Sequence, residues 1–179
     1  GKSGTANFLD GGVKGSLNVD MGRGHAFSIG AGYELRAPMA NTAFISPEIS
    51  NDFVTNLKNE RIFSSEFSYL YRNAWLSANV SGYYSRLEHV TEWQNFYNDD
   101  ENSFTYVSMT GLKKEYYGVE VGAKFKLTSW IDLKTLGAMS EAKNINNVNA
   151  VYMLSKSAEV YQDKAYVMNM RESGTPLTV

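Results

Sequence analysis

The stretch Tyr117-Gly118-Val119-Glu120-Val121-Gly122-Ala123-Lys124-Phe125-Lys126-Leu127 sets apolar side chains at every second position against glycine, glutamate and lysine. Successive side chains of an extended chain point to opposite faces, so this stretch reads as a β-strand with one apolar and one polar face. The same alternation recurs on both sides of it. Val13, Gly15, Leu17, Val19 and Met21 alternate with Lys14, Ser16, Asn18 and Asp20, and Phe27, Ile29, Ala31, Tyr33 and Leu35 with Ser28, Gly30, Gly32, Glu34 and Arg36. Phe63, Phe67, Tyr69 and Tyr71 stand opposite Ser64, Glu66 and Ser68; Leu76, Ala78, Val80 and Tyr84 stand opposite Ser77, Asn79, Ser81 and Ser85. A sixth run opposes Ile131, Leu133 and Met139 to Asp132 and Lys134. The runs are of the length that a tilted strand needs to cross a bilayer, about 9–11 residues.

The connections sort into two kinds. Tight turns are expected at Gly22-Arg23-Gly24, Arg72-Asn73 and Thr128-Ser129, whereas long segments run from Ala37 to Arg61, from Leu87 to about Leu112, and after the sixth run to about Glu172. The fold class is therefore all-β: an antiparallel up-and-down meander of about six strands, with short turns on one rim and long loops on the other, as in an outer-membrane β-barrel. Gly174-Thr175-Pro176-Leu177-Thr178-Val179 reads as a turn and the start of a seventh strand. The smallest membrane barrels have about 8 strands, so residues 1–179 are expected to be one part of a larger barrel.

Composition is consistent with this and excludes several other classes. A net charge of −2 leaves no footprint for nucleic acid. Twelve tyrosines suit positions with one apolar and one wet end, such as membrane interfaces and sugar-binding surfaces. Without cysteine the chain has no disulfide framework, thiolate metal site or cysteine nucleophile. No apolar run is long enough for a transmembrane helix, which says nothing about strands, because a barrel strand shows lipid only its alternate residues. Of the two histidines, His25 falls beside an expected hairpin turn and His89 in an expected long loop at the opposite rim, and no Gly-x-Ser-x-Gly elbow occurs, so no enzyme, cofactor or metal is expected.

Three segments resemble the barrel of TonB-dependent outer-membrane receptors. Gly32-Tyr33-Glu34-Leu35-Arg36-Ala37-Pro38 is similar to that family's aromatic-x-x-Arg-x-Pro at the outer end of an ascending strand. The run from Asn56 to Phe67 resembles the leucine-x-proline-glutamate opening of the next strand, with Asn59 in place of the proline, and Tyr117-Gly118-Val119-Glu120-Val121 resembles a later Gly-Val-Glu opening. The resemblance implies a plugged barrel of roughly 22 strands in the outer membrane of a Gram-negative bacterium, importing a glycan, a siderophore or another chelate. It implies as partners outer-membrane lipid, the plug domain and remaining strands of the parent, and a TonB-type energy transducer reached through parts outside this chain.

The candidate ligand-binding residues are Trp93, Phe96 and Tyr97, in a segment from His89 to Asn102 that is expected to be an outer loop. Their rings offer stacking surfaces to a sugar or aromatic chelator; equally, they serve as glue to neighbouring loops or as an interfacial girdle. The oxygen-rich run Asn98 to Asn102 lacks the glycine and spacing of a Ca²⁺ loop and reads as a solvated turn. Glu34, Glu66, Glu120, Lys124, Lys126 and Lys134 share the polar face, as expected of a wet lumen. Ser46-Pro47-Glu48 is a helix-start signal that places Ile49, Phe53 and Leu57 on one face, and Val148 to Met170 fits either a helix or an extension of the barrel wall. The competing reading from another class is a soluble β-sandwich that binds carbohydrate, since its strands also have one apolar and one polar face.

Overall fold

The computed structural model describes residues 5–45, 53–54, 56–100, 102–154, 160–168, 173–174 and 177–178. They form one antiparallel sheet from β1 (Gly11–Gly22), β2 (His25–Arg36), β3 (Glu60–Arg72), β4 (Leu76–Asn98), β5 (Ser103–Lys126), β6 (Asp132–Asn144), β7 (Val148–Leu154), β8 (Val160–Met168), β9 (Ser173–Gly174) and β10 (Leu177–Thr178). The first six pair in chain order as a meander, and β9 and β10 pair with the far side of β6, where a seventh strand was expected. The helix start expected at Ser46 and its Ile49 lie outside the described residues, but the helix does not reach the two described residues of the expected face: Phe53 forms a β-bridge with Phe44, and Leu57 is in irregular backbone. Val148 to Met170 is not a helix where described: β7 and β8 form a hairpin, and β7 adds to the upper part of β5.

The turns close through the residues that turns require. Arg23 and Gly24 both have positive φ, at 54° and 86°, which matches the right-handed twist of the strands they join. A Cβ on Gly24 would lie 1.8 Å from the Arg72 carbonyl oxygen, so the position admits only glycine. At the next turn the Asn73 Oδ1 accepts from the backbone N–H groups of Trp75 and Leu76, and at the third the Thr128 Oγ1 accepts from those of Trp130 and Ile131.

The registers sort the side chains into two faces. One row across the sheet reads Leu17, Ile29, Phe67, Gly82, Val119, Met139 and the next reads Val19, Phe27, Tyr69, Val80, Val121, Gly137. The opposite face carries Asn18, Ser28, Ser68, Ser81 and Glu120 in one row. Ser64 and Asn79 lie on that polar face too, whereas Phe125 is on the apolar one, as the alternation predicts. Leu70 and Leu136 are apolar exceptions near the turn end of the polar face. Cross-strand glycines seat large neighbours: the Phe67 ring lies over Gly82 on the apolar face, and the Tyr83 ring over Gly118 on the polar one.

Among the described residues the wall of the sheet has no buried apolar core of its own. Leu17, Ile29, Phe67, Val119, Val121 and Met139 are all exposed. The fully buried side chains Ile45, Met109, Leu112 and Met153 lie instead beyond the loop end of the wall, where β4, β5, β7 and the segment after β2 pack together.

The apolar face is bounded on both sides. Tyr33, Phe63, Tyr84 and Tyr117 mark its loop end, and Tyr69, Tyr71, Trp75, Phe125 and Trp130 its turn end. Phe63 to Tyr71, Leu76 to Tyr84 and Tyr117 to Phe125 each span eight positions, or about 26 Å of strand. No Asp, Glu, Lys or Arg lies on this face between the two aromatic margins among the described residues. Past the loop-end margin the same face turns ionic: Arg86 meets Glu88 at 2.8 Å, and Glu115 lies between Arg86 and Lys143 at 4.0 and 3.9 Å.

Candidate functional site

Beyond the wall β4 and β5 do not open into a loop. The segment from Leu87 to Leu112, expected as a long loop, continues as a paired hairpin to Asn98 and back from Ser103. Two irregularities hid this. Between Leu87 and Val90 the extra residue is on β4, where His89 has φ 60°, and between Val90 and Glu92 it is on β5, where Gly111 has φ 80°. Each shifts the register by one and the second cancels the first, so the hairpin bends and resumes its original pairing. Asn146 stitches the bend by accepting from the Lys113 N–H and donating to the Gly111 carbonyl.

The bent hairpin buries side chains from both of its faces. Val90, Val107, Met109, Leu112, Val148 and Ala150 form one cluster, with Leu87 and Tyr152 against it. On the opposite face Met153 joins Ile45, Val54 and Leu57 from the segment after β2, and Ser108 donates to the Ile45 carbonyl at 3.1 Å. That segment folds on itself: Val54 N–H donates to the Ala43 carbonyl, and the rings of Phe44 and Phe53 stack at 4.9 Å. It is anchored at its return by Asn59, which donates to the Leu9 carbonyl, while the ring of His89 bonds the Asn59 carbonyl.

The three candidate aromatics are all on β4, not on a loop, and they do not converge. Trp93 and Tyr97 point to one face, while Phe96 points to the other beside Thr105 in register. Trp93 is half-buried with its ring 6.2 Å from that of Tyr106, on the face covered by Ile45 and Val54, so it glues the module together. Tyr97 stands near the tip, half exposed, edge-on to Phe104 at 5.3 Å with a hydrogen bond to the Asn102 side chain. Phe104 was missed by the sequence reading; a hairpin turning at Asp99-Asp100 pairs it directly with Tyr97. The tip is a solvated turn, in which Asn98 Oδ1 accepts from the Asp100 N–H. No group of three or more His, Cys, Asp or Glu suited to a metal is found among the described residues.

Hollows also lie on the polar face of the wall. One, about 370 Å³, runs over Ser16, Gly30, Gly32, Ser64 and Glu66, where glycines and serines leave room. Comparisons with known protein families, with curated proteins and with solved structures find no match for the chain.

Proposed function

We propose that this chain forms part of the wall and outer rim of an outer-membrane β-barrel, of the TonB-dependent receptor kind that the three sequence segments resemble, and that the parent imports a nutrient ligand such as a glycan or chelate. The observation that carries the membrane reading is the charge-free apolar face with an aromatic margin at each end and ionic groups just beyond one of them. On a strand tilted by about 40°, 26 Å of alternating sequence covers about 20 Å of membrane normal, close to the roughly 25 Å apolar band of such barrels.

The margins themselves slant. At the loop end the last apolar residues are Val13, Tyr33 and Phe63 in one row, Tyr84 and Tyr117 two positions nearer the turns, and Met139 two positions nearer again. That is about 13 Å of descent over about 24 Å across the sheet, a slope of about 30°. At the turn end the margin moves the same way, from Tyr71 to the row of Leu76, Phe125 and Leu133. Strands tilted against a flat membrane require such a stagger, with about 35–45° usual for barrels. A soluble sandwich would cover this face with a second sheet; among the described residues nothing does.

On this reading the short turns face the periplasm and the bent hairpin faces outside, where Tyr97 and Phe104 meet ligand and Trp93 holds the module's shape. Cysteine scanning tests it: residues 1–179 hold no cysteine, and any cysteine elsewhere in the parent is first replaced by serine. In reconstituted full-length protein, Val19→Cys, Phe67→Cys and Val121→Cys should resist a water-soluble maleimide, whereas Ser68→Cys and Ser81→Cys should react. Equal labelling of both faces would remove the membrane reading. In the intact receptor, Tyr97→Ala with Phe104→Ala should weaken ligand capture while the barrel still inserts; unchanged affinity and uptake would place the ligand elsewhere.

A further inference from the structure

At its turn end the polar face of the sheet concentrates positive charge. Arg72 on β3, Lys124 on β5 and Lys134 on β6 share one row, and Lys126 stands in the next, directly opposite Asp132. Among the described residues Asp132 is the one acid of these two rows, and its carboxylate takes Lys124 at 2.8 Å. The hydrogen bond from Lys124, with Lys126 and Lys134 nearby, holds the Asp132 carboxyl below its ordinary value. On the other elements at this end, Asp20 of β1 is turned to its own backbone, accepting from the Gly22 N–H, and β4 contributes uncharged Ser77 and Asn79.

The arrangement is unfavourable for the sheet alone. Lys124 and Lys134 are direct cross-strand partners, and like charges so placed destabilise a pair of strands. Deeper on the same face the sign reverses, with Glu120 four positions from Lys124 and Glu66 six positions from Arg72, about 13 and 20 Å along the strands.

We propose that this turn-end patch of Arg72, Lys124, Lys126 and Lys134 is a docking surface for an acidic polypeptide segment. Four cations against one carboxylate fit a run of Asp or Glu side chains, whose binding removes the Lys124–Lys134 repulsion. The acids deeper on the face favour a segment whose charge turns basic about 13–20 Å further on. The inference uses only the polar face and is independent of what covers the apolar one.

The test uses the whole chain folded in a zwitterionic detergent, with fluorescence anisotropy of a labelled oligoglutamate peptide and an oligolysine peptide as the control. Oligoglutamate should bind at low salt and weaken as salt rises, since screening shortens the reach of exposed charges to about 10 Å at 0.1 M. Lys124→Gln with Lys134→Gln should lower its affinity by about tenfold or more, and Lys134→Gln alone, which lifts the repulsion while keeping the Lys124–Asp132 pair, should weaken binding and raise the urea midpoint of unfolding, a combination that damage to the fold cannot produce. Lys14→Gln, at the other end of the same face, should leave binding unchanged. The proposal is overturned if oligolysine binds as well, if the double variant binds as tightly as the parent, if Lys14→Gln weakens binding equally, or if inorganic phosphate alone displaces the peptide completely, which would make the patch a small-anion site.

Discussion

Arg36 and Glu60 stand directly opposite each other where β2 and β3 leave the wall, and the guanidinium donates from Nε and Nη2, at 3.0 and 2.6 Å, to one oxygen of a carboxylate that is only 3% exposed. Both residues belong to the segments that resemble receptor motifs, so two motifs distant in sequence are two halves of one clasp. The clasp fixes the base of the segment whose Ile45 and Val54 cover the bent hairpin.

Removing the cation should therefore cost more than removing the pair. Arg36→Ala leaves Glu60 buried without its donor and should destabilise by about 1–3 kcal/mol, less than for a wholly buried pair because the arginine is partly exposed. Arg36→Ala with Glu60→Leu should recover much of that loss. Urea unfolding of all four combinations gives the coupling; additive losses would show that the clasp is incidental.

Gly82 offers a sharper steric test. A Cβ there would sit 2.3 Å from the Phe67 ring, so Gly82→Ala should cost about 1–3 kcal/mol by overpacking. Phe67→Leu in the same chain should relieve most of it. Gly137, on the same face with nothing within 4 Å of its Cβ position, should accept alanine without loss.

The wall was legible in sequence because each strand repeats one simple requirement, an apolar side chain at every second position, and because glycine, asparagine and threonine mark the turns. The upper hairpin was not. From Glu92 to Asn98 the sequence runs Glu-Trp-Gln-Asn-Phe-Tyr-Asn, which carries no period of two, and the bulges at His89 and Gly111 break whatever phase the lower strand set. Its pairing comes from the opposite strand, from β7 and from the segment covering Met153, none of which is local. For the same reason three aromatics close in sequence looked like one site, although strand geometry sends Phe96 away from Trp93 and Tyr97.

Asp132 gives a prediction in pH. Its carboxyl is held below the ordinary 3.8 mainly by the hydrogen bond from Lys124. A folded value below the unfolded one means the contribution to stability is present above the unfolded value and is lost as pH falls through the folded one. An NMR titration of the Asp132 side chain should give a midpoint below 3.8 that returns toward it in Lys124→Ala. A midpoint unmoved by that substitution would mean the ion pair does not persist in solution.

On the proposed membrane reading, two neighbouring rows in the middle of the wall should separate lipid from water most directly. Val121 and Ser81 lie in adjacent rows near the middle of the wall, on opposite faces, and both are on paired strands whose backbone is equally satisfied. Arginine at Val121 would place a charge in the middle of the apolar face; if that face meets lipid, which offers neither water nor a counter-ion, it should cost about 2–4 kcal/mol. Arginine at Ser81 would meet Glu120 across the strand pair on the polar face, so Ser81→Arg should change stability by less than about 1 kcal/mol. The measurement is reversible unfolding of the full-length protein from lipid vesicles. Equal losses at the two positions would mean that the apolar face is covered by protein, and the chain would then need a second layer that the membrane reading does without.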